Sequence, residues 1–198
     1  MPVTAAMVLT TIADPVVLEG YYANFLAHGH LDQVRVIVIP DRKTPTAAFD
    51  RCALLRNKGL SVICLTLQEQ ERFLQQVGFP PEHIPYDSDN RRNVGYLMAL
   101  RDSIDFLISI DDDDFAPAEE DFFAQHAIVC DDMHICSTVE ASADWFNICT
   151  QLNLEPERVT YPRGFPYFAR HQETGNSPAS VRSDDSYQRR IVARGAGP

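Results

Sequence analysis

Hydrophobic positions along the chain follow two alternating rhythms. Short apolar runs rich in β-branched residues, at 7–12 (MVLTTI), 34–39 (VRVIVI), 61–67 (SVICLTL) and 106–110 (FLISI), predict strands. Segments with apolar residues at helical spacing lie between them, at 16–26, 47–57, 68–77 and 91–104, and one more follows the last strand at 119–129. The 34–39 run is almost continuous and stops at Pro40, as expected of a strand buried on both faces. Asp14-Pro15 breaks the chain after the first strand, the first helix ends near Gly29, and Gly59 is placed to cap the second. Residues 79–90 hold three prolines and several acids and predict a loop.

Strands alternating with helices imply an α/β fold: a Rossmann-type, mostly parallel sheet with helices on both faces. Such sheets bind ligands outside the carboxyl ends of their strands. Asp14, Asp41 and Asp111 all fall at those ends. The character changes at His171. Residues 171–198 are polar, with four Arg, two Asp and one Glu, and predict a disordered tail behind a single domain over residues 1–170.

Composition narrows the partners. With 198 residues, 45% of them hydrophobic, one sizeable core can form. The formal net charge of −11 argues against nucleic acid or an anionic membrane as the main partner. An anionic small molecule then needs local arginines, a helix N-terminus or a metal. Five cysteines without CxxC spacing imply no disulfide framework, hence a reducing compartment. The first residues lack a basic leader region, and no stretch approaches the length of a membrane span, so a cytoplasmic protein is expected.

The run Asp111-Asp112-Asp113-Asp114 directly follows an apolar strand. Adjacent carboxylates repel, and a divalent cation relieves them; hard oxygen ligands suit Mg²⁺ or Mn²⁺. If the backbone stays extended, Asp111 and Asp113 project together and Asp112 points away. A solvated acidic loop is the plain alternative, and the position after a strand favours a ligand site. An EF-hand opening at Asp111 would need Gly and Glu where Ala116 and Phe122 stand. A haloacid-dehalogenase-type phosphatase would usually carry Thr or Val in place of Phe115 and place its acidic strand near the N-terminus. It stays as the weaker rival. Arg91-Arg92-Asn93 begins a predicted helix after the candidate caps Asp89 and Asn90, which suits a pyrophosphate, although paired surface arginines often serve only solubility.

Several of these residues together carry a resemblance. Arg92-Asn93-Val94-Gly95-Tyr96-Leu97, then Ile110-Asp111-Asp112-Asp113, Gln125-His126, and Arg163-Gly164-Phe165-Pro166 with Phe168 and Arg170, stand in the order of motifs found in the plant reversibly glycosylated polypeptides, which include the UDP-arabinopyranose mutases. Thr11-Ile12 and Asp41 resemble that family's first and second strand ends, so the likeness covers residues 6–170. It implies a GT-A-type glycosyltransferase fold, a UDP-sugar donor, and Mn²⁺ or Mg²⁺. By position it sets Thr11 and Asp41 toward the base and Arg92 toward the diphosphate. Asp111 and Asp113 fall to ribose and metal, and Arg163 to the arginine that becomes glycosylated. A guanidinium stays protonated near neutral pH, so a phosphate or hydroxyl contact suits Arg163 equally. The spacing from Arg92 to the acidic run is longer here, and the polar tail stands where the family continues, as in a shortened relative.

Asp112, Asp114, Glu119 and Glu120 are all candidates for the catalytic base by position only, and Asp112 is carried forward with Arg163 as the catalytic pair. Trp145-Phe146 reads as core, with stacking on a sugar or uracil the other use. His126 suits a metal or a helix face equally. The acceptor carries no signature. The expected activities are metal-dependent UDP-sugar transfer or isomerisation, alone or in a homo- or hetero-oligomer. The alternative is a binding or self-glycosylating module.

Overall fold

The computed structural model describes residues 3–130, 145–151 and 156–170. Residues 3–130 form one compact unit, and the other described residues belong to a second. The predicted tail at 171–198 lies outside the described residues.

The first unit is α/β. Strands β1 (Ala5–Thr11), β2 (Val34–Pro40), β3 (Ser61–Cys64) and β4 (Phe106–Ile110) form one sheet in the order β3-β2-β1-β4, with every pairing parallel. Helices α1 (Val17–His28), α2 (Thr46–Asn57), α3 (Leu67–Gln76), α4 (Arg92–Arg101) and α5 (Phe122–Ala127) complete it. The alternation of side chains along β1 and β2 divides the core. Ala5, Met7 and Leu9, with Val34, Val36 and Val38, pack against α1, α2 and α5. Ala6 and Val8, with Ile37 and Ile39, pack against α3 and α4. Ala5 to Leu9 are fully buried, so β1 is the central strand, covered on both faces. Each Val, Leu or Ile placed there contributes about 1.5–3 kcal/mol by leaving water.

Differences from the predicted boundaries have local causes. The third strand stops at Cys64 because Thr66 begins a helix. Its hydroxyl accepts from the Glu69 N–H, and the Glu69 carboxylate accepts from the Thr66 N–H, a reciprocal cap that overrides the apolar Leu65–Leu67 continuation. The helix expected over 91–104 is shorter at both ends. Asp89–Arg91 is a 3₁₀ turn capped by Ser88, not by Asp89 or Asn90, and Ser103 adopts a positive φ of 53° beyond the C-terminus. The last helix covers only Phe122–Ala127, because Asp121 caps it by accepting from the Ala124 N–H.

Two features aim the fold at one place. The chain runs outward from β1 through β2 to β3, then returns to the other side of β1 as β4, so the β1/β4 junction is the topological switch point. Gly95 lets α4 lie directly on the sheet: a Cβ there would stand 2.5 Å from Val8 Cγ1 and 3.3 Å from Ile39 Cγ1. That close approach brings Arg92, one turn earlier, to the carboxyl ends of β1 and β4.

Candidate functional site

A cleft of about 630 Å³ opens at the carboxyl ends of β1, β2 and β4. Thr10, Thr11, Asp41, Lys43, Asp87, Ser88, Asp89, Arg91, Arg92 and Asp111 to Asp113 line it, together with Ile12 and Ile39. Thr11, Asp41 and Asp111 to Asp113, which the sequence singled out at three separate strand ends, and Arg92, singled out at a helix start, thus line one cleft.

Their geometry differs from a plain extended run. The Asp114 N–H reaches the Asp111 carbonyl at 3.3 Å, and the Asp114 carboxylate accepts from the Asp111 N–H at 2.8 Å. The acidic segment is therefore a tight turn, and Asp114 holds it closed. Strand alternation no longer sets where the carboxylates go. Asp112 accepts from the Thr11 hydroxyl at 2.7 Å, which fixes it to the end of β1. Asp111 pairs with the Arg92 guanidinium.

Arg92 also donates to Ser109 Oγ at 3.1 Å and to Thr10 Oγ1 at 3.3 Å, and the Tyr96 hydroxyl donates to the same Ser109 oxygen at 2.8 Å. Its Nε is buried without a partner. Arg91, its neighbour, is only 1% exposed. It donates to two neutral acceptors, the Ile84 carbonyl and the Gln70 amide oxygen, and its guanidinium lies 4.3 Å from the Tyr86 ring centre. Burial, the largest influence on it, lowers its pKa from the usual guanidinium value. The Gln70 amide in turn donates to the carbonyls of Pro40 and Leu65, tying the start of α4 to the end of β2.

Asp41 is 8% exposed, and its two oxygens accept from the backbone N–H groups of Arg42 and Asp87, each at 2.7 Å. This carboxylate organises the two loops that form the cleft rim. Asp14, also noted at a strand end, is outside the cleft lining: Arg51 grips it with two hydrogen bonds of 2.6 and 2.7 Å. His126 is likewise outside it and bonds the Phe122 carbonyl through Nδ1 at 2.8 Å.

Arg163 belongs to the second unit, exposed at the corner of a turn closed by the Phe165 N–H on the Pro162 carbonyl at 3.1 Å. Gly164 has a φ of 87° there, a conformation that disfavours side chains and accounts for the Arg-Gly pair. Trp145 and Phe146, expected as core, are 45% and 38% exposed, and Trp145 meets Phe168 edge-on at 6.3 Å.

Sequence reasoning passed over Thr10, Lys43, Asp87 and Ser88. The available signal was the turn-forming string Asp87-Ser88-Asp89-Asn90, in which Asp87 takes a positive φ of 53° to turn its N–H onto Asp41. No protein-family model matches the chain, and no curated protein matches it.

Among the described residues, no group of three or more His, Cys, Asp or Glu side chains is set to hold a metal by itself. Mg²⁺ and Mn²⁺ do not require such a cage, since one or two carboxylates plus substrate phosphates commonly suffice for Mg²⁺. Asp111 and Asp113 carry exposed carboxylate oxygens of the kind such an ion takes, and the Arg92 guanidinium lies beside Asp111. No helix among the described residues is long and apolar enough to cross a membrane.

Proposed function

We propose that the cleft binds a nucleoside-diphosphate sugar, with UDP as the nucleotide, and that the protein is a metal-dependent glycosyltransferase or mutase-like enzyme of GT-A type. The observation that carries this reading is the charge layout of one cleft. Six aspartates and three cationic side chains, Lys43, Arg91 and Arg92, line it. A diphosphate suits the cations, but the excess of carboxylates would repel it unless a divalent cation came with it.

In this reading Arg92 receives the phosphates. Asp41 and Thr11 shape the base side, Asp41 through the loops it holds. Asp111 and Asp113 hold Mn²⁺ or Mg²⁺, which neutralises charge on the departing diphosphate. Transfer breaks the anomeric C–O bond. The electron pair leaves with the diphosphate, and an acceptor hydroxyl, or the released UDP during isomerisation, attacks the anomeric carbon. In this reading Asp112, which accepts from the Thr11 hydroxyl, takes the acceptor proton. Arg163 joins as a sugar or phosphate contact on the strength of the sequence resemblance alone.

Release of free UDP from UDP-sugars separates the readings. Mn²⁺-dependent release of many equivalents per protein supports the enzyme. Saturable binding with single-event labelling supports a module that holds or accepts sugar without turnover. Hydrolysis of simple phosphomonoesters, abolished by Asp111→Asn, would instead indicate the phosphatase.

A further inference from the structure

The arrangement around Arg92 bears on how the cleft is loaded, an inference that rests on the diphosphate-and-cation reading above. Asp111 and Arg92 neutralise each other. The two partners are anchored differently, however. The Arg92 side chain is 22% exposed and remains held by Ser109 and Thr10, while the Asp111 side chain is 61% exposed. Tyr96 fixes the Ser109 hydroxyl, so Arg92 stays in place when Asp111 turns away. Nearby, Arg91 adds a second cation to the cleft wall, 1% exposed and with Nε unpartnered.

A cation arriving alone at Asp111 competes with Arg92 for its carboxylate and leaves Arg92 without its counter-charge. An anion arriving alone at Arg92 must leave Asp111 beside Asp112 and Asp113. When the two arrive together, each displaced charge gains a new partner. We propose that the Arg92–Asp111 ion pair is an exchange latch, which makes the cleft take a divalent cation and a diphosphate together in preference to either alone.

Two reciprocal variants test it, with Mn²⁺ alone and inorganic pyrophosphate alone as probes. Arg92→Gln should tighten binding of Mn²⁺ alone by about fivefold, because Asp111 is freed, the factor of an ion pair with one exposed partner. Asp111→Asn should tighten metal-free pyrophosphate binding by about fivefold, because Arg92 is freed. Asp113→Asn removes the same charge from the same cleft without releasing Arg92, and should change pyrophosphate affinity less than about twofold. Calorimetry with each probe reads all three, and Asp111→Asn, at an exposed position, keeps the test valid should Arg92→Gln fold poorly. The latch is overturned if Arg92→Gln binds Mn²⁺ no tighter than the unaltered protein, or if Asp111→Asn and Asp113→Asn strengthen pyrophosphate binding equally. Failure of the broader reading looks different: the unaltered protein would not bind UDP in the presence of Mn²⁺. Normal binding of that pair without the reciprocal gains overturns the latch alone.

Discussion

The ends of β2 and β4 are built from the same residue types and do opposite things. At β2, Asp41, Gln70 and Arg91 are buried, and internal groups meet them: two backbone N–H groups on Asp41, two carbonyls on the Gln70 amide, and a carbonyl and an amide oxygen on Arg91. At β4, Asp111 and Asp113 are exposed in a turn, and the only charged partner of the Arg92 guanidinium among the described residues is the exposed Asp111. Position at a strand end therefore does not mark a ligand group. What marks it is a charge that the fold leaves to water or to a single detachable partner. The β2 end is framework, and the β4 end is the working surface.

Substitutions that break this contrast should divide into losses of stability and losses of binding. The largest stability loss is expected at Arg91→Met. It strands the Ile84 carbonyl and the Gln70 amide oxygen in a buried place, which costs about 3 kcal/mol. A fall in the denaturant midpoint checks it. Gly95→Ala comes next. Its Cβ would clash with Val8 and force α4 off the sheet, costing about 1–3 kcal/mol and displacing Arg92. Asp113→Ala, by contrast, should change stability in the absence of ligand by less than about 0.5 kcal/mol, since it is exposed.

A loss smaller than those at Arg91 and Gly95 concerns Asp14, the framework carboxylate just beyond β1. The hydrogen bonds from Arg51, the largest influence, hold its folded pKa below the ordinary value of 3.8. Its contribution is therefore fully present above 3.8 and is lost as pH falls through the lower folded value. Asp14→Asn should remove about 1 kcal/mol near neutral pH and flatten the acid limb of the stability profile, measured by thermal unfolding between pH 3 and 7.

The strands and most helices were legible from their apolar patterns: 34–39, buried on both faces, is a near-continuous β-branched run, and 106–110, at the sheet edge, is a short apolar run; both needed almost no adjustment. The end of β3 was not legible: Leu65-Thr66-Leu67 continues the apolar run, and only the Thr66–Glu69 cap reveals a helix start. At the site, the strand-end rule found Asp41 and the acidic run, and the motif resemblance added Thr11 and Arg92, all of which line one cleft. It could not separate Asp14 from Asp111, because that difference depends on Arg51 arriving from α2, 37 residues away in the chain. Nor could it rank Arg91 against Arg92, adjacent residues whose burial diverges through the turn that joins them. The exposure of Trp145 and Phe146 likewise has no signature in their apolar neighbours.

The central claim is that the open carboxylates at β4, not the closed one at β2, govern ligand binding. Thermal stabilisation by UDP with and without Mn²⁺ tests it most directly, comparing the unaltered protein with Asp113→Ala. A rise in melting temperature that requires both UDP and Mn²⁺, and that Asp113→Ala abolishes, is the predicted result. No rise with both present, or an equal rise in Asp113→Ala, contradicts the account.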